Sequence, residues 1–158
     1  MSFFTKQHAT VTFSDGATPT PASITFDDVG DFSIDGLQEA GKSTATIIHR
    51  GAFKSYVYGD EAPVTGSFSL TVKAEDFSNA GSSRPLDFIM KLGSVSAGTT
   101  TNPGGFGPWC GTMVYSVTAN GQTGSIQVTE CRLSASITES GDALVASVSF
   151  TGYIGTIN

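Results

Sequence analysis

Charged side chains are scarce in this sequence. They make up 14% of its 158 residues, whereas a typical globular domain has about 25%. Only eight are Lys or Arg, these are scattered along the chain, and the formal net charge is −6. Proteins that hold DNA or RNA by the phosphates use clustered cations for that purpose. The composition therefore argues against a protein that binds nucleic acid through its phosphates.

The groups that enzymes commonly use for catalysis are also few. The sequence has two histidines, and neither a GxSxG nucleophile turn nor a His-x-x-x-His zinc spacing occurs in it. The acidic pairs Asp27-Asp28 and Glu75-Asp76 are each adjacent in sequence, so in a strand the members of a pair point to opposite faces. A glycosidase needs two carboxyl groups that face each other. We therefore predict no enzymatic activity, no cofactor and no bound metal ion.

Cysteine and long apolar runs are scarce as well. Cys110 and Cys131 are the two cysteines, too few for a disulfide framework. We interpret them as buried thiols of a β core, the alternative being a disulfide formed later, outside a cell. No apolar run approaches the roughly 20 residues that span a bilayer, and residues 1–10 lack the features of a signal peptide. We therefore expect a protein that is made and folded in the cytosol, with no membrane partner.

Two short motifs match known ligand-binding loops in letters but not in context. Residues 36–43 read GLQEAGKS and fit the phosphate-loop pattern GxxxxGK[ST], which works where a strand turns into a helix whose N-terminal amides hold phosphates. The residues that follow, 44–48, favour a strand. Residues 31–36 resemble the start of a calcium loop, but its twelfth position is Lys42 instead of a bidentate Glu. We interpret both matches as accidental.

The residues that are abundant favour β structure. Nineteen glycines and eleven phenylalanines accompany many Ser and Thr residues, a mixture typical of strands with hydroxyl-bearing outer faces and tight turns. The clearest strand is 67–74, where apolar residues alternate with Ser, Thr and Lys. Similar alternation recurs along the chain and ends in a long hairpin over 131–154, with its turn at 139–142. The pattern predicts seven or eight strands.

One helix interrupts the strands. Ser83 can cap its start, Pro85 stands just inside it, and Gly93 stands where a helix would end. The mostly apolar residues Pro85–Leu92 predict a short helix that packs on a sheet, because such a helix would be marginal alone.

The predicted fold class is therefore mainly β. We expect a β-sandwich or partly closed barrel of seven to eight strands with one short flanking α-helix. The chain length suits a single domain over 1–158. Within it we expect mobile termini at 1–8 and 155–158 and long loops at 35–52 and 94–111.

The order of these elements resembles that of the major tail tube proteins of long-tailed, siphovirus-type bacteriophages. Three features carry the resemblance: the turn 59–66 (GDEAPVTG) that feeds the strand Ser67–Lys73, the helix Pro85–Leu92, and the closing hairpin Cys131–Ile154. The resemblance implies a tail-tube-like β-sandwich with one helix on its flank. It also implies subunits that close into rings, hexameric in that family, which stack into a hollow tube for DNA delivery into the host.

The resemblance further implies the partners and the location. The partners are further copies of this chain and other tail proteins such as the tape measure and the terminator, in a virion tail assembled in the host cytoplasm. DNA is then in transit and not bound, and an acidic surface suits that role because it does not attract phosphates. Candidate channel-lining residues are Asp27, Asp31, Glu75 and Glu130. Candidate residues for contacts with the next ring are Gly41, Lys42, Arg50, Thr100, Asn102 and Trp109.

The alternative function is a carbohydrate-binding or adhesin-type β-sandwich module. Aromatic faces stack on sugars, and Trp109 with the four tyrosines would form such a platform. The competing interpretation of the same residue, which we favour, is that Trp109 beside Cys110 plugs one end of the sandwich.

Overall fold

The computed structural model describes residues 8–26, 29–72, 85–141 and 143–158. Strands dominate these ranges, as the alternation predicts. One α-helix, α1 (Pro85–Met90), lies between the sixth and seventh strands. The nine strands of the described ranges are β1 (His8–Ser14), β2 (Ser23–Phe26), β3 (Val29–Asp35), β4 (Lys42–His49), β5 (Ala52–Glu61), β6 (Val64–Val72), β7 (Gly111–Ala119), β8 (Gln122–Ser140) and β9 (Ala143–Ile157).

Seven of the strands form one antiparallel sheet, in the spatial order β2-β1-β7-β8-β9-β6-β3. β2 and β3 occupy opposite edges of this sheet although only residues 27 and 28 separate them in sequence. Three consecutive Cα–Cα steps cover at most about 11 Å, so the two edges lie close together and the sheet must roll up. Among the described residues β2 and β3 are not paired, so the roll is open. The predicted mainly β class with one short helix is confirmed.

The core lies inside this rolled sheet. The ring of Phe68 on β6 lies 6.0 Å from that of Phe26 on β2 and 6.4 Å from that of Phe150 on β9, measured between centroids. Phe32 on β3 stacks on Tyr115 of β7 at 3.7 Å, with an angle of 3° between the planes. Because β3 and β7 are not neighbours in the sheet, this stack joins opposite walls of the roll. Such aromatic pairs stabilise a fold by about 0.5–1.5 kcal/mol each beyond their buried area.

The helix α1 packs on this core. Phe88 is fully buried, and its ring meets that of Phe13 on β1 edge-on, with centroids 6.4 Å apart. The helix ends at Met90 and not at the predicted Leu92, because Lys91 adopts a left-handed backbone with φ 55°. The predicted cap at position 83 lies outside the described residues. Within the described ranges, no helix has the length and apolar character to cross a membrane.

The predicted closing hairpin is confirmed and extends further than expected. β8 has 19 residues and β9 has 15, and their pairing continues to Ile126 opposite Ile157. The peptide groups of Ser125 and Asn158 exchange two further hydrogen bonds of 2.7 and 2.9 Å. The end of the chain, where mobility was predicted, is therefore paired with β8. At the other end, β1 begins at residue 8, and residues 1–7 lie outside the described ranges.

Residues 42–49 form a strand where a loop was predicted. The prediction of a loop over 35–52 is wrong for these residues, because β4 pairs with β5 in a separate two-stranded sheet. The pairing is irregular at both ends of β4, between Lys42 and Thr44 and between Ile47 and Ile48. The extra residues of both irregularities lie on β5. All but one of the residues of β4 are exposed, so no buried face imposes on β4 the apolar–polar alternation by which strands are found in a sequence. The described chain consequently has nine strands in place of the seven or eight predicted.

Both cysteines are buried and free, which agrees with their interpretation as core thiols. Burial, together with the nearby Cys110, raises the pKa of the Cys131 thiol from 9.0 to about 12. Burial also raises the pKa of Cys110. Both thiols therefore stay protonated in the folded chain at neutral pH and above.

We expect the stability of the fold to fall as the pH rises from 9 toward 12 because of Cys131. The folded chain keeps this thiol protonated in that window, whereas an unfolded chain loses the proton near the ordinary pKa of 9.0. The contribution is complete below the unfolded pKa and is lost as the pH approaches the folded one, with a slope of at most about 1.4 kcal/mol per pH unit. Urea unfolding of the wild-type chain and of Cys131→Ala across this range measures the effect. The variant should show the weaker pH dependence, and equal slopes would contradict the assignment.

Candidate assembly surface

The β4–β5 hairpin stands apart from the main sheet. Its two strands pair with each other and, within the described residues, with no other strand. The hairpin base has Lys42 opposite Glu61, and at its tip Arg50 and Gly51 form the turn with φ angles of 53° and 76°. Positive φ at both central positions is what a two-residue hairpin turn requires. Every side chain of β5, and all but one of β4, is exposed.

A bulge in β5 changes which side chains share a face of the hairpin. Ile48 pairs with Phe53, and Ile47 pairs with Ser55, so Lys54 is an extra residue with no partner on β4. A bulge of this kind shifts the alternation of the strand by one residue. Side chains on the two sides of the bulge that would otherwise point apart are therefore brought to one face.

The shifted alternation aligns three aromatic rings. Phe53, Tyr56 and Tyr58 lie on one face with Ile48, and the rings of Phe53 and Tyr56 are 5.0 Å apart between centroids. We call Ile48, Phe53, Tyr56 and Tyr58 the aromatic face. These side chains are 55–70% exposed, although soluble monomers rarely leave a contiguous apolar patch uncovered and a two-stranded hairpin is marginal in water by itself. The aromatic face is therefore a surface that a partner would cover.

One side-chain hydrogen bond fixes the base of the aromatic face. The hydroxyl of Tyr58 donates to Oε1 of Glu39 at 2.5 Å, and Glu39 belongs to the 3₁₀ turn Glu39–Gly41 that precedes β4. This hydrogen bond and the negative charge of Glu39 raise the pKa of Tyr58. The tyrosine therefore stays a neutral donor.

Three of the predicted contacts with the next ring lie at the two ends of this hairpin. Gly41 and Lys42 are at its base, where the Gly41 carbonyl accepts a hydrogen bond of 2.9 Å from the N–H of Ala62. Arg50 is in the turn at its tip. The segment that matches the phosphate-loop pattern thus runs through a 3₁₀ turn into a strand and not into a helix. Phosphate-binding amides of a helix N-terminus are therefore not formed by these residues.

The second predicted contact loop, 94–111, is held together by hydrogen bonds of its own. Oγ1 of the buried Thr100 donates to a backbone carbonyl at 2.9 Å. It also accepts from the N–H groups of Asn102 and Cys110 at 3.1 and 3.0 Å. The side chain of Asn102 in turn donates to the carbonyl of Phe106 at 2.7 Å. Thr100 and Asn102 thus determine the shape of the loop.

Phe106 is the outward side chain of this loop, and sequence reasoning missed it. It is 75% exposed, and glycines with positive φ stand at positions 104, 105 and 107 on either side of it. An aromatic residue between glycines at 105 and 107 was the available signal, because glycines offer no side chains to cover it. Phe106 is a second exposed apolar feature.

Trp109 is turned inward. Its Nε1 donates to the carbonyl of Phe88 at 2.7 Å, and its ring lies 6.2 Å from that of Phe13, measured between centroids. Nζ of Lys91 lies 5.3 Å from the centre of the indole ring. These contacts join the loop to α1 and β1, as expected of a residue that plugs the end of the fold. The indole ring is packed against other parts of its own chain, so it is not free to serve as an open platform for sugars.

Two of the four predicted channel-lining acids lie within the described residues. Asp31 on β3 and Glu130 on β8 both have positive φ, 50° and 47°, at irregular points of their strands. β9 and β6 separate the two strands in the sheet, so the fold does not make these residues neighbours along one ladder. Asp27 and Glu75 lie outside the described residues.

The fold is shared with two solved structures, a sheath/tube terminator and a tube-terminating cap. The chain is similar to the sheath/tube terminator of the extracellular contractile injection system PVC in its extended state, with a TM-score of 0.56 and 12% sequence identity over 100% of this chain and 96% of that one. It is also similar to the tube-terminating cap of the anti-feeding prophage AFP, with a TM-score of 0.56 and 11% identity over 100% of this chain and 93% of that one.

These likenesses establish the fold over the whole chain. No protein-family model and no curated protein sequence matches it. The neighbours are a sheath/tube terminator and a tube-terminating cap, and a specific relation to the major tail tube proteins of long-tailed phages stays a prediction.

Proposed function

We propose that this chain is a non-enzymatic structural subunit of a phage-tail-like tube and that it works by assembling with further copies of itself. The observation that carries the proposal is the aromatic face, Ile48, Phe53, Tyr56 and Tyr58, which is exposed on a hairpin outside the main sheet. Burying it would gain about 25 cal/mol for each Å² of apolar surface removed from water. A second copy is the partner that a tube subunit always has beside it.

The form of the assembly follows from the position of the hairpin. A segment that leaves its own subunit to contact another surface makes a head-to-tail contact, and such contacts produce closed rings or open helical filaments. We propose that the chain forms stacked rings of six in a virion tail assembled in the host cytoplasm. The tape measure and terminator proteins are its further partners. The net charge of −6 supports a channel through which DNA passes without binding.

The predicted site residues keep their proposed roles within this picture, and the structure adds to them. Asp31 and Glu130 are the channel-lining candidates among the described residues. Contacts between rings are proposed for the hairpin ends at Gly41, Lys42 and Arg50 and for the loop that Thr100, Asn102 and Trp109 hold in shape. Phe106 is the side chain through which that loop would make its contact.

A ring that closes the end of a tube is a second candidate. Of the two fold neighbours described above, one is a sheath/tube terminator and the other a tube-terminating cap, which favours this candidate. A tube subunit stacks on copies of itself through both faces of its ring. A terminator stacks on copies of itself through at most one face. Tubes of many rings would therefore support the first candidate, and single or double rings the second.

We expect the purified chain to form rings or tubes with a central opening as its concentration rises. The physical reason is the apolar surface that a monomer leaves exposed. Sedimentation velocity over a hundredfold range of concentration, followed by negative-stain microscopy of the largest species, measures this. A chain that stays monomeric across the whole range, in low and high salt, would refute the proposal.

A further inference from the structure

The charges of the β4–β5 hairpin are unevenly distributed along its length. Two of the chain's eight cationic residues, Arg50 and Lys54, lie at the tip, next to His49. Both are exposed. At the base, the acids Asp60 and Glu61 end β5, and the cation Lys42 stands opposite Glu61. The tip therefore carries two cations, whereas the base carries two acids and one cation.

The acidic base borders a cleft of about 190 Å³. Glu61 from the hairpin and Glu130 from β8 both line it, and Tyr153 and Ile154 of β9 contribute apolar surface. Within the described part of the chain, neither carboxylate forms an ion pair, and Glu130 is partly buried. Two carboxylates at one cleft raise the local negative potential, which a single cation placed between them would relieve.

The tip of the same chain cannot supply that cation. Seven residues separate position 42 at the base from position 49 at the tip, and a strand rises about 3.3 Å per residue, so the two ends are about 23 Å apart. This distance is far beyond the length of an arginine side chain. Lys42 stands opposite Glu61 but does not line the cleft. The cations of the tip therefore reach the cleft only if two copies of the chain come together.

We propose that the tip of the hairpin in one copy docks into the cleft at the hairpin base of the next copy, with the guanidinium of Arg50 between Glu61 and Glu130. This contact gives Glu130 a role between subunits in place of the channel wall. Arginine suits this position because its planar group donates several hydrogen bonds to carboxylates and keeps its charge at every accessible pH. Ile48 and Phe53, beside the turn, would then lie near Tyr153 and Ile154. The inference rests on the proposed function and specifies which two surfaces of neighbouring subunits meet.

This contact is heterologous, since the tip and the cleft are different surfaces. Each copy then offers one tip and one cleft, and the series of contacts either closes into a ring or continues from copy to copy along the tube. The docked pair also gives the long-range attraction that speeds encounter between subunits, which is weakened by salt.

The test is a charge exchange within one chain. Arg50→Glu is expected to raise the concentration needed for assembly at least tenfold, because it places a third carboxylate in the cleft of the next copy. Glu61→Arg combined with Glu130→Arg should do the same. The triple variant that carries all three changes restores opposite charges at the contact, and it should assemble within about threefold of the wild-type concentration.

The matched control uses the same charge change elsewhere. Glu139→Arg reverses an exposed acid near the far end of β8 and should have little effect. Circular dichroism and urea unfolding of each variant confirm that the fold is retained.

The possible outcomes separate this inference from the proposed function. If the wild-type chain assembles and Arg50→Glu assembles equally well, the docking contact is refuted while self-assembly stands. If both charge reversals block assembly but the triple variant does not recover, the tip and the cleft contact different surfaces, and the pairing is refuted. A wild-type chain that never assembles refutes the proposed function first, and the docking contact with it. If both charge reversals block assembly and the triple variant assembles, the pairing of the tip with the cleft is supported.

Discussion

The double variant Phe53→Ser with Tyr56→Ser is expected to fold normally and to lose self-association. The two rings are 57% and 70% exposed, so their removal costs the isolated fold less than about 1 kcal/mol. In an assembled interface, buried aromatic side chains contribute about 2 kcal/mol or more each. The concentration at which the chain assembles should therefore rise about a hundredfold or more. Sedimentation velocity and negative-stain microscopy measure the loss, and thermal unfolding confirms the intact fold.

The matched control for this variant is Ile47→Ser with Val57→Ser. These two residues lie on the opposite face of the same hairpin and are 44% and 41% exposed, so the change in hydrophobicity is similar. We expect a much smaller effect on assembly, because this face lacks the aligned rings. Loss of assembly in both variants would indicate that the hairpin fails to form, and assembly of the Phe53/Tyr56 variant at wild-type concentration would contradict the assigned role of the aromatic face.

Gly66→Ala is expected to destabilise the fold severely. Gly66 lies on β6, between β3 and β9. A Cβ atom here would overlap the backbone oxygen of Ser33 and stand 2.6 Å from Cζ of Phe150. A backbone atom held in a sheet cannot move aside as a flexible side chain would, so the cost should be about 3 kcal/mol. For a chain of this size that loss corresponds to a fall in Tm of about 10 °C.

The control for this prediction is another strand glycine with an ordinary φ. At Gly124 on β8, the nearest atom to an added Cβ is the carbonyl oxygen of Asn158 at 3.5 Å, an ordinary contact. Gly124→Ala should therefore be neutral or stabilise by up to about 0.5–1 kcal/mol, because alanine loses less backbone entropy on folding. Thermal unfolding at a concentration below assembly compares the two. Similar melting temperatures would contradict the packing around Gly66.

The parts of the fold that were predicted correctly depend on local patterns. The strand around Phe68, the helix that begins at Pro85 and the hairpin that closes the chain each follow from a period or a capping residue within ten or so positions. In the hairpin 42–61, residues 44–48 favoured a strand, but the segment was assigned to a long loop. All but one of the residues of β4 are exposed, so β4 lacks the apolar–polar period of two on which strand prediction depends.

The candidate site was predicted less well than the fold. Gly41, Lys42 and Arg50 were chosen as loop residues, and they turned out to mark the two ends of an exposed hairpin. Its aromatic residues had been assigned no role in assembly, because an alternating strand has the same sequence pattern whether its apolar side faces the core or solvent. Phe106 lies in a loop, where no periodicity indicates which way a side chain points.

Composition and short-range periodicity were enough to predict that this chain is built of strands, that a short helix begins near Pro85, and that its catalytic groups are few and its cations scattered. The folded chain added the long-range features: β2 and β3 meet as opposite edges of a rolled sheet, Trp109 points inward, and the aromatic face is left uncovered. Such features depend on which distant strands pair and which surfaces bury one another. The free energy of these contacts comes from residues far apart in sequence, so a local sequence pattern cannot predict them.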